Sequence, residues 1–159
     1  HNCLVGSEMC IRDRLWARKL NKGSIEFEED IASLETFMYN VERNGKLLRT
    51  VLTDAKKQGS KAYVYGASTK GNTMLQLWKL EGLFEGAAEI HPDKIGRYTV
   101  GTKIPIVSEE EAKQNADIFF VPNFGFRDMF VEKEKEFLEK GGRMIFAMPE
   151  VDVVTGDKK

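Results

Sequence analysis

Ser68, Thr69, Lys70 and Asn72 place four polar side chains within five residues, bracketed by Gly66 and Gly71. That is the composition of an anion cradle. Hydroxyl, amide and ammonium donors surround glycines that let backbone N–H groups approach a phosphate. The residues before it, Ala62-Tyr63-Val64-Tyr65, read as a short strand. After it, Met74, Leu75, Leu77 and Trp78 recur at helical spacing. A strand, a glycine turn and a helix start together aim unpaired amides and the helix dipole at one point.

Three readings of this loop differ in what they require. A Walker A loop needs Lys-Ser/Thr directly after its second glycine. Here Asn72-Thr73 follow Gly71, and the lysine precedes it. The dinucleotide fingerprint needs glycine at its first, third and sixth positions. Gly66 and Gly71 fit, but Ser68 takes the middle place. Glu89 stands where an acidic residue roughly 20 positions on would meet a ribose. The structural alternative is a tight turn whose glycines serve packing alone. Four polar groups at one helix start weigh against it.

A second loop, Pro122–Phe126, should flank the same crevice, because ligands of open parallel sheets bind beyond the carboxyl ends of strands at a switch point. It contributes Asn123 and Phe124, with Arg127 next to it. Arg127 could hold a phosphate, or pair with Asp128 or another helix-face acid. Tyr98 and Phe124 could stack on a base or sugar, or belong to the core. His91, before Pro92, reads as a surface turn residue. No acid–base pair, nucleophile or metal cluster stands out, so no catalytic residue and no metal ligand is assigned.

Basic and acidic side chains nearly cancel at 24 to 25, which leaves no electrostatic footprint for nucleic acid. No apolar run approaches the roughly 20 residues of a membrane span. The expected setting is the cytoplasm, with no membrane partner. Two cysteines are too few for a disulfide scaffold. Both lie within Cys3–Asp13, CLVGSEMCIRD, which resembles the translation of a transposase sequencing adapter over eleven consecutive residues. Residues 1–14 are accordingly expected to be an artefact of environmental reads, and native sequence to begin near Leu15 inside a longer gene. No thiol or metal chemistry is read from Cys3 or Cys10.

Residues 15–59 are expected to form a linker and a long amphipathic helical segment. Ser24 is its candidate cap, Asn44-Gly45 a candidate bend and Gly59 the C-terminal stop. Residues 60–150 alternate strand and helix. Strands are expected at Lys61–Tyr65, Ala87–Ile90, Ile104–Val107, Asp117–Val121 and Arg143–Met148. Helices are expected at Asn72–Leu80, after the Ser108 cap, and over Phe126–Lys140. Residues 151–159 read as a tail that frays. The alternation predicts an α/β domain: a Rossmann-like parallel sheet of about five strands with helices on both faces.

The segments YGASTKGNTMLQ, GRYTVGTKIPIVSEEEA and GGRMIFAMPEVDVV, in this order, resemble the C-terminal domain of S-adenosylmethionine-dependent C-methyltransferases, several of which act on nucleotide-linked deoxysugars. The resemblance covers roughly Phe27 to Val154. It implies a Rossmann-like domain on the substrate side of a larger enzyme. Structural zinc and the methyl donor would lie upstream, with no cofactor in this stretch itself. A methyltransferase domain would pack against it in cis, and a nucleotide-sugar would sit between the two. The implied fragment does not turn over alone. The alternative from another class is a non-catalytic nucleotide- or NAD-binding module, which would use Glu89.

Overall fold

The computed structural model describes residues 28–156. The Ser24 cap and residues 1–14 lie outside the described residues. The chain divides at Phe37–Met38, inside the first helix, α1 (Glu28–Lys57). N-terminal to the division, the described residues are helical. The unit from Met38 onward carries every strand of the sheet.

After α1 come β1 (Ala62–Tyr65), α2 (Thr69–Leu77), β2 (Gly86–Glu89), β3 (Ile106–Ser108), α3 (Glu109–Asn115), β4 (Ile118–Phe120), a 3-10 turn (Phe124–Phe126), α4 (Arg127–Lys133), α5 (Lys135–Glu139), β5 (Arg143–Phe146) and β6 (Asp152–Thr155). The sheet order is β3-β2-β1-β4-β5-β6, parallel except for the antiparallel β5–β6 pair. This is the doubly wound Rossmann-like order expected, with its switch between β1 and β4.

Strand alternation sorts the core into two faces. Ala62, Val64, Ile118, Phe120 and Ile145 pack with Leu48 and Leu52 of α1, Leu75 of α2 and Trp78 at its C-terminal cap. Tyr63, Tyr65, Phe119, Met144 and Phe146 pack with Ala112 of α3 and Leu138 of α5. Both faces are covered, so the central strands read as continuous apolar runs in the sequence.

Two caps form where the sequence places them. Ser60 N–H donates to Ala55 O and Gly59 N–H to Lys56 O, closing α1 at Gly59. Ser108 Oγ accepts from Glu111 N–H at 3.1 Å, with Glu109, Glu110 and Glu111 in the first turn.

α1 runs unbroken through Asn44-Gly45. Three local expectations change. The helix expected from Asn72 begins at Thr69, with Ser68 as its cap. The helix expected over Phe126–Lys140 is a 3-10 turn followed by two helices that meet at Glu134. There the side chain is drawn inward to the Tyr65 hydroxyl and the backbone leaves α geometry at φ −102°, ψ 22°. The segment read as a fraying tail contributes β6, a sixth strand. Its Asp152 accepts from Arg127 Nε at 2.7 Å. Among the described residues no helix is long and apolar enough to cross a membrane.

Candidate functional site

The carboxyl ends of β1 and β2 open into a cleft of about 290 Å³. Tyr65, Gly66, Ala67 and Ser68 form one side, Ala88, Glu89, Ile90 and Lys94 the second. Glu109 of α3, Phe130 and Lys133 of α4, and Asn123 from the loop after β4 complete it. This is the switch-point crevice that the strand order dictates.

Gly66 makes the turn out of β1 at φ +92°, a backbone region that side chains disfavour. Ser68 Oγ then accepts from Gly71 N–H at 3.1 Å. In the nine-residue α2 this leaves the amides of Thr69 and Lys70 with no carbonyl one turn back. Gly71 is buried, and a side chain there would press on Pro122 at 3.2 Å. So the β1 and β4 loops touch, and the crevice between them is narrow by construction.

The sequence-selected residues divide into two groups. Gly66, Ser68 and Asn123 line the cleft. Thr69, Lys70, Gly71, Asn72, Tyr98, Phe124 and Arg127 are not among its lining residues. Lys70 Nζ lies 4.9 Å from the Phe124 ring centroid, a cation–π pair at the mouth of the two loops. Asn72 Oδ1 is buried, with no hydrogen-bond partner among the described residues. Arg127 donates to Asp152 and Asp128 and stacks 5.6 Å from Phe146. It takes the helix-face pairing that the sequence left open. Tyr98 is exposed in the loop after β2 and bridges to Pro105. His91 is exposed, with Nδ1 3.8 Å from Asp93.

Glu89 lines the cleft but is already engaged. Its Oε1 accepts from the Ile90 and His91 amides at 2.9 and 3.1 Å, and Oε2 from Lys94 at 2.8 Å. Burial alone would raise its pKa. The hydrogen bonds from Lys94 and the two amides outweigh burial and hold the carboxyl below its usual range.

A family model described as the C-methyltransferase C-terminal domain matches residues 22–149. The chain belongs to the C-methyltransferase C-terminal domain family. Among curated proteins it is similar to the C-methyltransferase NovU of Streptomyces niveus, 32% identical over 117 residues. That match takes in 70% of this chain and 26% of NovU, so the chain spans about a quarter of the relative's length.

In this C-methyltransferase C-terminal domain, Tyr65, Glu109 and Lys133, with half-buried Lys113 and buried Glu134 behind them, were not legible as site residues from the sequence. Glu109 reads as one of three solvated acids opening a helix. Glu134 reads as one charge in a run of alternating Glu and Lys. The one signal was Tyr65 itself, a hydroxyl closing a central strand, which needs a polar partner when buried. Among the described residues no cluster of His, Cys, Asp or Glu is arranged for a metal ion, so none is assigned to zinc.

Proposed function

We propose that this chain is the substrate-side domain of a larger S-adenosylmethionine-dependent C-methyltransferase of the cytoplasm that acts on a nucleotide-linked sugar. The methyltransferase domain would pack against it in cis. Bound S-adenosylmethionine would supply the electrophilic methyl group, from sequence outside this domain. This domain alone would bind and orient, not turn over, since the methyl donor would lie outside it.

The observation that carries the reading is the location of the cleft. It lies beyond the carboxyl ends of β1 and β2, reaches Asn123 after β4, and abuts the GASTKGNT loop that starts α2. Its two lysines, Lys94 and Lys133, face two glutamates, Glu89 and Glu109, at 2.8 and 2.9 Å. Those pairs cancel. Attraction for a diphosphate would therefore come from the Thr69 and Lys70 amides, the α2 dipole and the Lys70 ammonium.

The reading predicts that UDP or dTDP at millimolar concentration raises the melting temperature. A hundredfold excess over Kd stabilises by about 2.7 kcal/mol. Lys70→Ala should reduce the shift at equal ligand concentration. Thermal-shift fluorimetry decides it: a melting temperature unmoved by either nucleotide rejects the phosphate cradle.

A further inference from the structure

The inner wall of the cleft carries an ionic cluster that a phosphate does not need. Glu134, 3% exposed, accepts from the Tyr65 hydroxyl at 2.6 Å and from Lys113 Nζ at 2.8 Å. Lys113 also reaches Glu109 Oε1 at 2.9 Å. Lys133 Nζ donates to Glu109 Oε1 and Oε2 at 2.9 and 3.1 Å and lies 5.5 Å from the Tyr65 ring centroid. Tyr65, Glu109 and Lys133 line the cleft, while Lys113 and Glu134 are not among its lining residues.

Two carboxylates and two ammonium groups sum to zero, so this wall offers no net attraction to an anion. It offers direction instead. Burial would raise the Glu109 pKa, but hydrogen bonds from Lys133 and Lys113 outweigh it and keep the carboxyl below its usual range. An ionised carboxylate only accepts, and an ammonium only donates. Among the described residues Glu109 Oε2 carries a single donor, Lys133, and so keeps a lone pair. Lys133 has a third proton left after its two bonds to Glu109. An acceptor fixed beside a donor complements two adjacent hydroxyls, one donating and one accepting. Phe130 beside them gives the flank an apolar surface for ring carbons.

Resting on the nucleotide-sugar reading above, the geometry points to a vicinal-diol subsite in which Glu109 and Lys133 read two neighbouring hydroxyls of the ligand. Lys113 and Glu134 act as positioning residues, since they fix Glu109 and Tyr65 without lining the cleft. The diol belongs either to the ribose of the nucleotide or to the sugar ring beyond the diphosphate.

Isothermal titration of the full chain with dTDP, UDP and dTDP-glucose separates these sources. dTDP lacks a vicinal diol and anchors through its phosphates and base. Glu109→Gln leaves the cluster with one positive charge in excess, so dTDP affinity should not fall. It should weaken one diol ligand by about tenfold or more, the scale of a hydrogen bond to a charged group. Loss for UDP assigns the ribose; loss for dTDP-glucose with UDP spared assigns the sugar ring. Lys133→Met, which keeps Glu109 paired with Lys113, should reproduce the same ligand pattern. Equal weakening of all three ligands by both variants shows a structural role and overturns the subsite, as does no weakening of any. If wild type binds dTDP and the variants bind every ligand equally well, only the subsite fails. If wild type binds none of the three, the nucleotide reading itself fails and the subsite with it.

Discussion

Lys113→Met is expected to lower folding stability by roughly 2–3 kcal/mol at neutral pH, measured by urea denaturation followed by circular dichroism. Lys113 is the cation shared by Glu109 and Glu134, at 2.9 and 2.8 Å. Removing the partner of a buried charge costs more than the pair's net worth, because that charge stays buried. Glu134 is the residue so stranded. Its remaining cation, Lys133, stands 3.8 Å away and is already bonded to Glu109. The methionine keeps the aliphatic volume, so little of the loss comes from a cavity. Tyr65→Phe, which removes a neutral donor from the same carboxylate, should cost less, about 1 kcal/mol. A loss below that figure for Lys113→Met would mean that water reaches Glu134 and the cluster does not hold α3 to α4.

The same cluster sets the sign of the pH dependence. The Glu109 carboxyl is depressed in the folded state, so its contribution is present above the ordinary carboxylate pKa of 4.5 and is lost as the pH falls through the folded value. For Lys113, burial would lower the pKa, but the hydrogen bonds it donates to Glu134 and Glu109 outweigh it and the value is raised. Its contribution is complete below the ordinary 10.5 and is lost at higher pH. Between those limits neither group changes the stability of the wild-type domain. Below pH 4.5 the wild type should lose stability faster than Lys113→Met, because in the variant only Lys133 depresses Glu109. The gap between the two proteins therefore narrows in acid. A gap that stays constant from neutral pH to about one unit below the ordinary carboxylate value would place the stabilisation elsewhere.

The fold was legible wherever a residue's role depends on its near neighbours. Apolar runs such as Ile118–Val121 mark a strand covered on both faces, and Ser108 before three glutamates marks a helix start. β6 was not, because Val151–Thr155 follows Pro149 and is short. Only pairing with β5 tells it from an extended exit segment. The site was legible on one side only. Gly66, Ser68 and Asn123 are adjacent to strand ends, which spacing can find. The opposite wall joins residues 65, 109, 113, 133 and 134, which meet because β2 and β4 flank β1 in the sheet, bringing α3 and α4 to the end of β1. Nothing local distinguishes Glu109 from Glu110 and Glu111, or Glu134 from Glu132 and Glu136. The distinction is burial, and burial is set by the crossover.

Asn44-Gly45 lies inside α1, and a large effect is expected there. Gly45 belongs to a helix interior, where replacing glycine ordinarily stabilises by roughly 0.5–1 kcal/mol. Here Gly45→Val should instead destabilise by about 3 kcal/mol, the upper range for overpacking. A Cβ at Gly45 would fall 2.6 Å from Trp78 Cγ and Nε1, well inside contact distance. The helix cannot simply retreat. One residue earlier, buried Asn44 donates to Ala147 O and Pro149 O at 3.0 and 2.7 Å, which ties α1 to the end of β5. The Trp78 ring is confined too, packed 6.4 Å from the Phe120 ring centroid in the core. Its indole N–H has no acceptor among the described residues, so removing the ring breaks no hydrogen bond. Trp78→Leu should accordingly relieve the clash. In a double-mutant cycle the pair should lose about 1.5 kcal/mol or more less than the sum of the single losses, within the range for residues in contact. Additive losses, or a Gly45→Ala variant more stable than wild type by the ordinary helical gain, would show that α1 and α2 do not meet at this point.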